Sequence, residues 1–305
     1  MRARLLLLAA LLAAGMGLAA CGDEGSSGEG SALTVVATTP HVADLVQNVG
    51  GGRVEVETIV PAEADPHGYE PRPSDVAALA DAGLVVRSGG DLDEWLDEVL
   101  DSAGAEAQTA TLMDSMDRLG SDPHWWQDPR NAILAVRAIE ARLTEADPEG
   151  GVAYRRNAER YVERLRKLDA GIAACVARVP PEERRMVTTH DSLGYLARRY
   201  GIEVVGAVIP SLSTQAQASA GDVDRLVDQI RAERVKAIFP ESAVSAKLEE
   251  AIAREAGAAV GRPLYADSLG PEGTEAGSYL GALAANASSL VEGMSGGRVR
   301  CVVRP

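Results

Sequence analysis

The sequence predicts an α/β protein of two similar lobes with mainly parallel sheets, joined by one long rigid helix, with a cleft between the lobes. Three observations lead there. Short β-rich runs alternate with helical segments twice along the chain, which is the pattern of strands joined by crossover helices. One amphipathic segment, longer than any other, separates the two series. Of only four histidines in the whole chain, His67 and His190 fall where predicted strands give way to loops, and His124 lies in the loop before a helix.

Residues 33–38 read as the first strand and 40–49 as a helix, with Thr39 as cap, Pro40 in the first turn and the glycines at 50–52 as stop. Strand 54–60, helix 74–82, strand 84–87, helix 92–100 and strand 107–112 complete the first series. Asp128-Pro129 then opens a helix to about 143. The long segment, 151–179, carries Tyr161, Leu165, Leu168, Ile172 and Val176 at spacings of three and four, with charges between, and Pro180-Pro181 stops it. The second series has strand 186–189, a helix ending at Tyr200, strand 203–208, helix 222–232, strand 235–239, helix 244–256, strand 263–266 and a last helix, 277–294. The predicted organisation is therefore an export segment over 1–20, a tether over 21–31, a first lobe over 32–150, the linking helix over 151–179 and a second lobe over 180–305, each lobe with its own core.

Arg2 and Arg4 precede a Leu/Ala run that ends at Cys21, the pattern of a secretory signal and too short for a membrane span. Leu18-Ala19-Ala20-Cys21 resembles the bacterial lipobox, which implies lipid on Cys21 and attachment to the outer face of the cytoplasmic membrane. The Gly/Ser-rich stretch to Ser31 has the composition of a flexible tether. Removing residues 1–20 takes the formal charge from -15 to -17. A field of that sign repels nucleic acid and mildly favours cations. With Cys21 lipidated, Cys175 and Cys301 remain in an oxidising setting, where a disulfide is the leading reading and two buried thiols the alternative.

The chemistry starts from a repeated tripeptide, Asp65-Pro66-His67 and Asp122-Pro123-His124. Each proline fixes its own φ and drives the preceding aspartate into an extended conformation, so the histidine is presented from a stiff loop. His190 follows Met186-Val187-Thr188-Thr189, and Asp267 follows the predicted strand at 263–266. Three imidazoles and a carboxylate form a four-ligand N/O set suited to zinc. H-E-x-x-H and the phosphate-binding Gly-lysine loop are absent from the sequence, and no G-x-S-x-G stands at a strand-to-helix elbow, the one match, Gly293 to Gly297, falling at the end of the last predicted helix. His41, just inside a predicted helix start, reads as a solvated or capping residue. Glu241 either hydrogen-bonds a ligating histidine or caps the next helix. Asp65 and Asp122 either orient their histidines or, as the simpler reading, form the turns, and Trp125 and Trp126 read as packing residues.

Five ordered motifs carry a resemblance over nearly the whole mature chain: Asp65-Pro66-His67-x-Tyr69-Glu70-Pro71-x-Pro73-Ser74-Asp75, Asp122-Pro123-His124-x-Trp126-x-Asp128-Pro129, Thr189-His190-Asp191-x-x-Gly194-Tyr195, Phe239-x-Glu241 and Tyr265-x-Asp267-Ser268-Leu269-Gly270. They are similar to the zinc/manganese-binding lipoproteins of metal ABC transporters. That resemblance implies metal ligands His67 and His124 from the first lobe and His190 and Asp267 from the second. It also implies one ion per chain and a monomer that hands its ion to a membrane permease. Histidine at position 190 goes with zinc in the family and glutamate with manganese, so Zn2+ is expected and Mn2+ is the alternative. The family's long His-rich acidic loop is missing, since 114–121 is short and histidine-free, and Trp125 stands where the family is usually aliphatic. Other readings are an exported zinc hydrolase, which Asp267 in the fourth position would exclude, and an adhesin role alongside metal binding. The expected sequence of events is capture by His67 and His124, then closure of His190 and Asp267 over the ion.

Overall fold

The protein is described by a computed structural model covering residues 32–104 and 107–304, so the export segment, Cys21 and the tether lie outside the described residues. The first lobe comprises β1 (Leu33–Ala37), α1 (Pro40–Gly50), β2 (Val54–Thr58), α2 (Pro73–Asp81), β3 (Leu84–Arg87), α3 (Trp95–Ala103), β4 (Gln108–Thr111) and α4 (Pro129–Ala146). After α5 (Gly151–Val176), the second contains β5 (Arg185–Thr188), α6 (Gly194–Tyr200), β6 (Glu203–Ala207), α7 (Ala220–Glu233), β7 (Ala237–Phe239), α8 (Lys247–Ala256), β8 (Ala259–Val260) and α9 (Tyr279–Met294). The sheet orders are β2-β1-β3-β4 and β6-β5-β7-β8, every pairing parallel. Both lobes thus have the same topology.

The central strands are apolar runs because helices cover both faces: Val35, Val36, Val85, Val86, Val187 and Ile238 are wholly buried. The helix starts follow cap chemistry. Thr39 and Asp128 are extended caps whose side chains accept from Val42 and Arg130 backbone N–H groups, each with proline next in the chain. At 26 residues, α5 is about 39 Å long. It packs on α1 and α4 of the first lobe and on α6 and α9 of the second, so it is a shared wall as well as a connector. The sulfurs of Cys175, near its end, and Cys301 lie at bonding distance, with Cα atoms 5.8 Å apart.

The expectation of a separate core in each lobe needs correction. One apolar cluster includes Leu45, Val46 and Trp126 of the first lobe, Leu165 and Leu168 of α5, and Phe239, Tyr279 and Leu283 of the second. Only the layers on the far side of each sheet are separate, one around Val36, Val85 and Leu96 and one around Val187, Ile230 and Ile238. Trp125 belongs to the shared cluster, and its indole Nε1 donates to Ser88 Oγ at 3.0 Å, which accounts for an aromatic at that position.

The predicted strand at 263–266 does not form. Pro263 has no N–H to give, the N–H and C=O of Tyr265 are taken by the side-chain amide of Asn286, and Ala266 O accepts from Trp126 and Gln127. Only a single bridge, Leu264 to Glu241, remains, and β8 at Ala259–Val260 is the fourth strand of the second sheet. The helix predicted at 92–100 is instead a 3-10 turn at Asp91–Asp93 followed by α3.

Candidate metal centre

The two D-P-H loops are built alike. In each, the aspartate carboxylate accepts from the histidine backbone N–H, Asp65 from His67 at 3.0 Å and Asp122 from His124 at 2.9 Å. This is the turn role read for these aspartates, and it points both imidazoles inward. His190 lies just past β5, with its carbonyl accepting from Thr188 Oγ1 at 2.7 Å. Asp267 lies on the irregular segment after the Leu264 bridge. The four side chains converge from four loops, with one ligand atom of each within 4.8 Å of all the others.

The separations are those of a coordination shell. His124 Nε2 is 3.3 Å from Nε2 of both His67 and His190. Asp267 Oδ2 is 3.3 Å from His67 Nε2 and 3.2 Å from His190 Nε2, and Oδ1 is 3.5 Å from His124 Nε2. A tetrahedral ion with bonds of ~2.0 Å has ligand-to-ligand edges of about 3.3 Å. All four side chains are nearly closed to solvent, at 3% exposure or less.

The hydrogen bonds behind these side chains fix their chemistry. His124 Nδ1 lies 2.7 Å from Asp122 Oδ1, and His190 Nδ1 lies 2.6 Å from Glu241 Oε1. A carboxylate can only accept, so these Nδ1 atoms carry the hydrogen and each Nε2 keeps its lone pair for a cation. Asp122 therefore does more than shape its turn, and Glu241 faces a histidine rather than capping α8. Glu241 is itself set by Thr189, whose Oγ1 accepts from the Glu241 N–H at 3.1 Å and donates to the buried Glu249 at 2.7 Å.

Asp267 is the electrostatic focus. Both its carboxylate oxygens are buried and lack a well-formed hydrogen bond. Burial alone would raise its pKa, yet the positive potential of His124 and the contacts of His190 and His67 hold it well below the usual carboxylate range. For His190, burial disfavours charge, but Asp267 and Glu241 on either side outweigh it and push the imidazole up to about 10. Without a metal His190 therefore carries a proton next to the Asp267 carboxylate, and its Nε2 lone pair is free for a cation only once that proton leaves.

His41 is not solvated. It is 2% exposed, stacks on the Trp126 indole at 4.9 Å between centroids, meets Tyr279 edge-on at 6.2 Å and leaves Nδ1 without a partner. Its place at the second position of a helix predicted no such burial. Trp126 and Gln127, on the turn after His124, both donate to Ala266 O at 2.7 Å. Gln127 carried no signal in the sequence; its role depends on a contact 139 residues away.

Comparison with known proteins agrees with this architecture. Over 303 residues the chain is 34% identical to the manganese-binding lipoprotein MntA of Bacillus subtilis, covering 94% of this chain and 98% of that protein. It is 31% identical to the manganese-binding lipoprotein MntA of Halalkalibacterium halodurans, covering 95% and 97%. The periplasmic zinc binding protein TroA from Treponema pallidum superimposes with a TM-score of 0.82 at 29% identity, over 87% of this chain and 99% of that one. Residues 35–293 match the family model described as zinc-uptake complex component A, periplasmic, and the chain belongs to that family.

Proposed function

We propose that this protein captures one zinc ion per chain, through His67, His124, His190 and Asp267, and delivers it as a monomer to the permease of an ABC transporter. As a member of its family it is an extracytoplasmic, metal-binding lipoprotein of such a transporter and not an enzyme. The metal is cargo. Its relatives are named for manganese and for zinc, so the family alone leaves the choice open. In favour of zinc are the three nitrogen donors, which on the Irving–Williams order hold Zn2+ more strongly than Mn2+, and the edge lengths near 3.3 Å. Lipid on Cys21, following the lipobox-like Leu18-Ala19-Ala20-Cys21, would keep the carrier beside the membrane.

The single observation that carries the proposal is the buried Asp267 carboxylate, which lacks a well-formed hydrogen bond and faces three imidazole nitrogens. A carboxylate so placed needs a cation, and the convergent lone pairs define one position for it. The test is elemental analysis of mature protein stripped with chelator and reloaded with equimolar zinc and manganese. One zinc per chain is expected. Manganese retained over zinc would reassign the cargo, and no metal at all would remove the proposal. His190→Ala should weaken zinc at least tenfold in a chelator competition titration, and an unchanged affinity would take His190 out of the ligand set.

A further inference from the structure

Asp267 is carried by the chain of the second lobe, yet the backbone on both sides of it is held by first-lobe groups. Ala266 O accepts two hydrogen bonds, from Trp126 Nε1 and Gln127 Nε2, each 2.7 Å. Leu269 N donates to Ala62 O at 2.9 Å. Trp126 and Gln127 sit on the turn that follows His124, and Gln127 N closes that turn onto His124 O at 3.2 Å. Both side chains are buried to 1% exposure or less. His41 stacks on one face of the indole, and the Trp126 backbone is held by Tyr279 Oη, which donates to its carbonyl. His190 contrasts with this. Its backbone and Nδ1 are held by Thr188 and Glu241 of its own lobe.

We infer that Trp126 and Gln127 are positioning residues for metal binding, which act through the Ala266 carbonyl to hold the Asp267 carboxylate at a fixed distance from His124. The inference rests on the ligand set proposed above. Two indole and amide donors on one carbonyl fix both the position and the rotation of the peptide that precedes Asp267. The carboxylate cannot relax onto another donor when the ion leaves. His124 and Asp267 then form one unit across the lobes, instead of Asp267 travelling with His190 as the chain order implies.

The test is a thermodynamic cycle with zinc as the probe, read by competition against a chromophoric chelator. Trp126→Phe keeps the ring and removes the N–H; Gln127→Leu keeps the bulk and removes the amide. The pair is made in the native background and in Asp267→Ala. In the native background the double variant should weaken zinc tenfold or more, the range for residues that orient a metal ligand. In the Asp267→Ala background it should change affinity less than twofold, because the group it positions is gone. Equal losses in both backgrounds would mean a general structural effect and overturn the inference, as would no loss in the native background. Should the double variant not fold by circular dichroism, Gln127→Leu alone, expected to cost at least threefold and only in the native background, decides the matter. If Asp267→Ala by itself leaves zinc affinity unchanged, the ligand assignment fails instead.

Discussion

Replacing His41 by methionine should flatten the acid side of the stability curve of the metal-free protein. His41 is buried against Trp126 and Tyr279 with no partner for Nδ1, and burial, the largest influence on it, lowers its pKa to about 4, against 6.5 for a free imidazole. The unfolded chain therefore binds a proton as pH falls through about 6.5 while the folded protein does not. Between those two values the unfolded state holds more protons, so stability rises with pH, is fully present above about 6.5 and is lost on acidification towards about 4. From these two pKa values the loss between pH 7.5 and pH 5 is about 2 kcal/mol, and the full shift is worth about 3 kcal/mol. The assay is urea unfolding of chelator-treated protein at pH 7.5, 6.5, 5.5 and 5. The native-minus-variant difference should narrow in favour of the variant by about 2 kcal/mol over that range. Other titrating groups, His190 included, are common to both proteins and cancel. Parallel curves would refute the argument, because they would mean that the buried imidazole protonates as readily as a free one.

Three further outcomes are expected. Gly194→Ala places a Cβ 2.7 Å from Asp122 Oδ2 and 3.1 Å from Leu119 Cδ2, so the carboxylate that holds His124 must move; zinc affinity should fall about tenfold in the competition titration. Glu241→Gln keeps the shape but weakens the acceptor 2.6 Å from His190 Nδ1, and the same titration should show a tenfold to hundredfold loss. Cys301→Ser removes a cross-link between residues 126 apart, and on the chain-entropy model the urea midpoint should report a loss of about 5 kcal/mol, while an unchanged midpoint would show that the two thiols are not bonded.

How much of this was legible depended on the range of each interaction. The D-P-H repeats announced His67 and His124 because proline and an Asx turn act within three residues, and the helix starts at Thr39 and Asp128 were readable for the same reason. The alternation of β-rich and helical runs gave two parallel-sheet lobes. The strand predicted at 263–266 failed because its peptide groups are captured by Asn286, Trp126 and Gln127, side chains remote in sequence. His41 was misjudged on like grounds: its burial is decided by Trp126 and Tyr279, neither of which has a sequence relation to it. Glu241 was left between two roles until the fold placed it beside His190.

The apolar layer that α5 shares with both lobes makes the two halves inseparable. A chain cut near Pro180 would leave Leu165, Leu168 and Ile172 on one fragment facing solvent where Tyr279, Leu283 and Leu290 had covered the same cluster. Neither piece would have a closed surface, and each would present a large adhesive patch. The repeated topology looks modular, but the lobes are not exchangeable parts; a chimera of two relatives would have to transplant the matching faces of α1, α4, α5 and α9 together. Unfolding should accordingly follow one cooperative transition in calorimetry, with equal van't Hoff and calorimetric enthalpies, and two resolved transitions would show that the layer does not couple the halves.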